Sequence, residues 1–289
     1  MRTLGGAVAL FIGSTVLVHA QEATIEKIHD APAIKGSIIA NLLQEHDNPF
    51  TLYPYESNYL LYTYTSDINK EAIRSYDWAE NAKKDEVAFQ LSLGFPLWRG
   101  IAGENSVLGA SYTQRSWWQM SNKGESSPFR ETNYEPQVFL GWATDYNFAG
   151  WTLRDVEVGL NHQSNGRSDP TSRSWNRAYT RLMAQNGNWQ VEVKPWLKLG
   201  SGDNNEDITR YMGHNRLKVG YTWGESVFSV EGRYNWNSGY GGAELGWSYP
   251  VSKHVRFYTQ VFSGYGESLI DYDHRQTRVG VGFMLNDMM

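Results

Sequence analysis

What most constrains this chain is a two-residue rhythm that recurs from about residue 58 onward. Val87, Phe89, Leu91, Leu93 and Phe95 alternate with Ala88, Gln90, Ser92 and Gly94. Leu108, Ala110, Tyr112, Gln114, Ser116 and Trp118 alternate with Gly109, Ser111, Thr113 and Arg115. Trp189, Val191, Val193, Pro195 and Leu197 alternate with Gln190, Glu192 and Lys194, and Val279, Val281, Phe283 and Leu285 with Arg278, Gly280 and Gly282. Side chains of a strand point alternately to opposite faces, so each run predicts a strand with one apolar and one polar side.

The linkers alternate as well. Short turns are expected near Asn147–Gly150, Asn186–Asn188, Gly224–Glu225 and Val251–Lys253, and longer polar loops near 66–86, 119–133, 165–173, 199–210 and 265–275. Short turns at one end and long loops at the other are the pattern of a bacterial outer-membrane barrel. The runs predict an all-β fold, a closed antiparallel transmembrane β-barrel of about 12 strands, because in lipid every backbone group must pair internally. Both signs of charge fall on the polar faces, including Glu157, Arg177, Arg181, Glu192, Lys194, Glu231, Arg233, Glu244 and Arg278. Such charges can pair at close quarters, so the interior is expected to be filled rather than an open pore.

Composition narrows the class. The 289 residues contain no cysteine, which removes disulfides and thiolate metal sites. A net charge of -5 gives no basic footprint for nucleic acid. Mean hydropathy is only -0.54, and past the N-terminus no stretch approaches the roughly 18 to 20 apolar residues of a spanning helix. Yet 14% of the residues are aromatic, with 12 Trp and 18 Tyr, which fits aromatic girdles around a lipid band and would also fit a soluble β-protein that binds sugar. At the N-terminus, Met1-Arg2, the apolar run Ala7 to Val18 and the small-residue site Val18-His19-Ala20 read as a secretory signal over residues 1–20. Residues 21–57 are polar without a clean period and read as an N-terminal arm; 58–289 form the barrel.

One run carries chemistry. Val156, Val158, Leu160, His162 and Ser164 share one face of a strand, and Asp155, Glu157, Gly159 and Asn161 the other. The apolar face meets lipid, so His162 and Ser164 point out of the barrel toward the bilayer. They lie about 7 Å apart along the strand, a gap side chains can bridge. On the returning strand Arg177 and Arg181 belong to the interior, which turns Asn176 outward beside them. Serine becomes nucleophilic when a base takes its proton, and an amide on the far imidazole nitrogen would orient that base. Three polar groups together on a lipid face are costly and usually functional. The loop after Ser164 is rich in oxygen donors suited to a hard cation, but carries no EF-hand spacing.

The run Asn161-His162-Gln163-Ser164-Asn165-Gly166-Arg167-Ser168-Asp169-Pro170-Thr171-Ser172-Arg173-Ser174-Trp175-Asn176 resembles the signature of the outer-membrane phospholipase A family. The likeness extends over nearly the whole chain, through Tyr134-Glu135-Pro136, Tyr234-Asn235-Trp236-Asn237, Gly239 to Glu244 and Gly264 to Ser268, and is of the enterobacterial type. It implies a barrel of the outer membrane that hydrolyses acyl esters of phospholipids and lysophospholipids, at sn-1 and sn-2. It implies Ser164 as nucleophile, His162 as base and Asn176 as orienter. It also implies a calcium ion held by the Arg167 carbonyl, the Ser172 hydroxyl and Ser126 of a second subunit. The Ser164 amide and calcium-held water would form the oxyanion hole, and the homodimer would be the active form. Three positions depart from the pattern. Gln163 stands in place of an acidic residue but should face inward. Asp169 is kept, whereas Asn204 stands where a second calcium site wants a carboxylate, so the resemblance is not extended to that site. The chain ends Met288-Met289 rather than on an aromatic residue used in barrel assembly.

Gln114 stands on an apolar face among Leu108, Ala110, Tyr112 and Trp118. An amide aimed into hydrocarbon wants a partner, so Gln114 is expected at a two-fold dimer contact where paired glutamines satisfy each other. The reading from another class is a passive barrel, a porin or a structural outer-membrane protein, which would conduct ions and owe nothing to Ser164.

Overall fold

A computed structural model describes residues 37–44 and 51–286. Among the described residues thirteen strands lie in one antiparallel sheet. The first, β1 (Tyr53–Pro54), only edges β3 (Asp85–Arg99), with Tyr53 opposite Gly94. The remaining twelve close on themselves. They are β2 (Asn58–Thr65), β3, β4 (Ser106–Trp118), β5 (Phe129–Phe148), β6 (Trp151–Ser164), β7 (Ser174–Asn186), β8 (Trp189–Asp203), β9 (Asn215–Trp223), β10 (Ser226–Asn235), β11 (Tyr240–Pro250), β12 (Arg256–Gly264) and β13 (Gln276–Asn286). Each pairs with its neighbour in sequence, and β13 returns to β2, with Val281 opposite Tyr62. The barrel thus has no free edge, the condition that lipid imposes.

The two faces follow the two-residue rhythm. On β6, Val158 and Leu160 are 40% and 55% exposed, while Asp155 and Glu157 are wholly buried. Similar outward rows run through Leu60, Leu91, Leu197, Leu245, Val261 and Val281. Among the described residues no helix is long and apolar enough to cross a membrane.

The interior is filled, as the paired charges predicted. Glu157 accepts hydrogen bonds from the hydroxyls of Tyr55 and Tyr179 at 2.5 Å each and from Arg181 Nη2 at 2.6 Å. Arg181 also meets Glu192 at 3.4 Å. Nearer the long-loop end, Glu86 binds both Arg130 and Arg278 at 2.8 Å, and Asp271 closes on Arg130. Gly159 leaves room for this network: a Cβ there would lie 2.8 Å from the Tyr179 hydroxyl. A polar cavity of about 110 Å³ remains, with Arg115, Arg216, Glu231 and Glu244 in its walls.

Of the expected N-terminal arm, residues 21–57, the structure describes 37–44 and 51–57, and this part packs into the barrel. Ser37 caps α1 (Ile38–Leu43), and Ile39 and Leu42 are fully buried. The helix packs against the inner side of β3, β4, β5 and β6. Asp155 accepts from the Ser37 hydroxyl and, at 2.9 Å, from the Ile38 amide, so a carboxylate meets the donors at the helix start. Gly141 makes space for it, since a Cβ there would lie 2.4 Å from Ile39 Cδ1. Six residues are too few to show a helical period, which is why the sequence hid this plug. At the other end α2 (Ile208–Met212) buries Ile208 and Met212 in the same apolar cluster as Ile39, Tyr55, Phe139, Trp175 and Leu269.

Loop boundaries also shift. β8 runs to Asp203, so the loop expected at 199–210 begins later; β5 begins at Phe129 rather than after 133. The β10–β11 connection at the long-loop end is a four-residue turn, 236–239. The expected signal at residues 1–20 and the terminal Met288-Met289 lie outside the described residues.

Removing Glu157 leaves the buried Arg181 guanidinium with its 3.4 Å contact to Glu192 in place of two carboxylates, and strands two buried hydroxyls. Glu157→Ala is therefore expected to destabilise the barrel by roughly 3 to 5 kcal/mol. The check is the denaturant midpoint of the refolded barrel in lipid, and an unshifted midpoint contradicts it.

Candidate active site on the lipid face

The candidate residues meet where β6 and β7 approach the long-loop end. Strand pairing sets His162 opposite Asn176 and Ser164 opposite Ser174. On its other side Ser164 is opposite Tyr134 of β5. His162 and Asn176 are exposed on the outer surface, and Ser164 is half-buried at the strand end. His162 Nδ1 and Asn176 Oδ1 are 2.8 Å apart. An amide oxygen only accepts, so this contact places the ring proton on Nδ1 and leaves the Nε2 lone pair available as a base. The Ser164 hydroxyl makes no hydrogen bond among the described residues. In a substrate-free site the nucleophile–base contact is often loose and tightens when substrate arrives.

The opposite face of the same strand holds this arrangement in place. Asn161 donates to Glu135 at 2.9 Å and accepts from Arg177 Nε at 2.8 Å, and Arg177 meets Glu135 at 3.0 Å. Gln163 faces inward, as expected, and its oxygen accepts from Trp175 Nε1 at 2.8 Å. The Arg177 guanidinium stacks over the Trp175 ring at 4.2 Å, and Trp175 is fully buried. Inward side chains from both strands thus interlock beneath the outward His162–Asn176 pair.

The loop 165–173 has a clamp that sequence reasoning missed. Asn165, 3% exposed, accepts from the amides of Arg167 and Arg173 at 3.3 and 3.0 Å and donates to the Thr171 carbonyl at 2.8 Å. An Asn that bonds backbone two residues on is a turn former, and that was the available signal. The clamp brings Arg167 and Ser172, the candidate calcium ligands, into one small ring of chain. The Arg167 side chain fastens the ring to β5 by donating to the Phe129 carbonyl at 3.0 Å, and lies 5.1 Å over the Tyr76 ring. Burial holds the Tyr76 phenol above its ordinary value, against the lowering effect of that guanidinium. The Arg167 carbonyl accepts no hydrogen bond among the described residues. A free carbonyl and a serine hydroxyl are hard oxygens, so the loop fits a calcium ion in kind. Ser126 lies exposed at the tip of the β4–β5 loop, with a left-handed backbone (φ 59). Asn204 Nδ2 donates to Asp169 Oδ1 at 2.6 Å, so an amide already occupies the acidic oxygen that a second ion would use. No group of three His, Asp or Glu side chains is placed to hold a metal among the described residues.

Gln114 faces outward, but its amide is not bare. Its oxygen accepts from Tyr112 at 3.1 Å and its nitrogen donates to Ser116 at 3.2 Å. Two neighbours on its own strand thus take up part of the amide's hydrogen-bonding capacity. A ladder of alternate residues on β4 supplies one bond to each end.

A closed barrel bearing an oriented imidazole beside a serine on its lipid-facing wall is a membrane-embedded hydrolase in outline. Comparison with known proteins agrees. The Phospholipase A1 family model matches residues 37–285. The chain is 74% identical to Phospholipase A1 of Escherichia coli K12 over 288 residues, all of both chains, and 76% identical to that of Proteus vulgaris over 269 residues, 93% of each. Among solved structures it resembles the Salmonella typhi outer membrane phospholipase dimer with bound calcium, at TM-score 0.87 and 76% identity, over 89% of this chain and 100% of that one. It also resembles outer membrane phospholipase A from Escherichia coli, at TM-score 0.88 and 77% identity over the same shares. An active-site mutant of that protein, with an asparagine replaced by alanine, has been solved too. The chain belongs to the phospholipase A1 family: it is an outer-membrane phospholipase, a carboxylic ester hydrolase built on a β-barrel.

Asn204→Asp would set a second carboxylate against Asp169. Without a cation the two repel and the variant is expected to lose roughly 1 kcal/mol of stability. With calcium they chelate. Melting with calcium and with chelator checks this: the variant's midpoint should respond to calcium more than the wild type's, and equal responses contradict it.

Proposed function

We propose that this phospholipase cleaves acyl esters of phospholipids and lysophospholipids, at sn-1 and sn-2, with Ser164 as nucleophile, His162 as base and Asn176 as the group that orients it. The observation that carries this reading is the 2.8 Å contact between His162 Nδ1 and Asn176 Oδ1 on the lipid face. The active-site asparagine of the Escherichia coli relative is in keeping with it.

The chemistry follows from the tautomer. Ser164 Oγ attacks the ester carbonyl and its proton passes to His162 Nε2. The carbon–oxygen bond to the glycerol breaks, and His162 returns the proton to the leaving alcohol oxygen. The acyl group now sits on Ser164. Water attacks it, His162 takes the water's proton and then protonates Ser164 as the fatty acid departs. Asn176 holds the imidazole edge-on throughout. A carboxylate there would stabilise the imidazolium more strongly but would cost far more at a lipid surface.

Arg167 and Ser172 would hold calcium through the carbonyl and hydroxyl oxygens, with Ser126 of the partner subunit as a further ligand. When bound, the ion supplies positive charge against the negative charge that develops on the ester oxygen. These are neutral ligands, and affinity for calcium rises with ligand charge, so the site depends on what a second subunit adds. The solved Salmonella typhi relative is a dimer with bound calcium, which supports both parts of this reading.

Register supports a link between association and activity. Gln114 is opposite Tyr134, and Tyr134 is opposite Ser164. Two strand spacings, roughly 10 Å, therefore separate Gln114 from the nucleophile along one outward row. A subunit docked on Gln114 borders the site. The glutamine keeps one hydrogen and one lone pair beyond its bonds to Tyr112 and Ser116, enough to pair with its counterpart across a two-fold axis. Dimer control also has a physical purpose, since an always-active lipase would digest the membrane that holds it.

Fatty-acid release from phospholipid in mixed micelles tests the site. Ser164→Ala is expected to lose roughly three orders of magnitude or more in turnover. Asn176→Ala is expected to lose less, up to about a hundredfold, because it misplaces the base without removing it. Chelator should abolish release by the wild type. Release that survives in Ser164→Ala removes the nucleophile assignment, and release indifferent to chelator removes the ion's part.

Gln114→Ala is expected to lower the crosslinked dimer fraction in detergent with calcium. Equal fractions for variant and wild type would take Gln114 out of the interface.

A further inference from the structure

Beside the His162–Asn176 pair a groove runs along the lipid-facing wall. Val138, Leu160 and Leu199 supply its apolar walls, and His162 and Asn176 lie within it. Strand pairing explains its shape. Asn176 is opposite Leu199, while one step toward the barrel's middle the outward row reads Val138, Leu160, Ala178 and Leu197. Leu160 and Leu197 stand 55% and 70% exposed on either side of the small Ala178. Ser164 is not among the residues that line the groove.

That asymmetry decides which part of a substrate fits. The attacked carbon bonds to Ser164 Oγ, and the oxygen that leaves must take its proton from His162. The glycerol backbone therefore lies over the imidazole, on the groove side of the nucleophile. The scissile chain extends from the other side of the same carbon. The site sits near the long-loop end, so any chain still attached to the glycerol must descend past Leu199 toward the middle of the barrel wall, where Val138 and Leu160 lie.

We propose that this groove seats the acyl chain that remains on the leaving group, so that it selects between diacyl and monoacyl substrates. The inference rests on the triad reading above. In a bilayer the chain gains no hydrophobic transfer energy by entering, because lipid tails are as apolar as leucine. What it gains is a fixed position for the glycerol oxygen against His162 Nε2, which acts on turnover rather than on binding. A lysophospholipid has no second chain and takes nothing from the groove.

The experiment fills the groove. Turnover on a diacyl phospholipid and on the corresponding lysophospholipid is measured in the same mixed micelles for wild type, Leu160→Trp and Leu199→Trp. Leu217→Trp, on the lipid face of β9, is the control. The ratio of diacyl to lysophospholipid turnover is expected to fall roughly tenfold in each groove variant and to hold in the control, a size typical of a few methylenes misfitted in an apolar pocket. The two variants obstruct opposite walls, so one that fails to fold leaves the other to decide. An unchanged ratio in both overturns the proposal. So does an equal loss on both substrates, which would mean the groove takes the scissile chain or that the bulk disturbs His162. A wild-type protein that hydrolyses neither substrate sinks the triad reading itself and takes this inference with it.

Discussion

The arrangement of this protein depends on the two-sidedness of one strand, β6. Its inward residues Asp155, Glu157, Asn161 and Gln163 each bond to a different part of the molecule: the start of α1, the Tyr55–Tyr179–Arg181 group, the Glu135–Arg177 pair and Trp175. Its outward residues include His162 and Ser164. A strand face cannot shift by one residue without turning every inward side chain outward, so the interior network fixes the register of the exterior chemistry. The outward face meets lipid and has little protein around it to position it. Its rigidity comes from behind.

This explains a barrel interior so rich in charge. An ion pair buried in place of apolar residues seldom adds net stability, and the fold does not need these for stability alone. They are directional, however, as apolar packing is not. Glu157 has three donors with fixed positions, and Glu86 and Asp271 tie Arg130 and Arg278 at the long-loop end. With α1 at one end and α2 with its neighbours at the other, the described part of the lumen is packed around one polar cavity.

The site is divided between precise and incomplete parts. The His162–Asn176 contact is already made within one chain. The Asn165 clamp already shapes the loop that carries Arg167 and Ser172. By contrast the oxygens offered to a cation are few and neutral, and the outward row through Gln114, Tyr134 and Ser164 faces lipid in a single chain. On the function proposed above, such a site stays poised but incomplete until a second copy arrives, which suits a hydrolase embedded in its own substrate.

The sequence by itself determined which face of each strand meets lipid, and hence that His162, Ser164 and Asn176 would converge outside the barrel. Period-2 alternation is local, and pairing across one hairpin was enough to bring Asn176 to His162. It also announced a filled interior through charges of both signs. Only the tertiary structure decided which charge meets which, because Glu86 meets Arg278 and Asp155 meets Ser37 across more than a hundred residues of chain. It decided that residues 37–43 enter the lumen, since a six-residue helix has no readable period. It decided that Gln114 is served by Tyr112 and Ser116, that Asn204 covers Asp169, and that a groove opens beside His162. Each of these depends on side-chain reach between elements, and that distance is set by closure of the sheet, not by any local pattern.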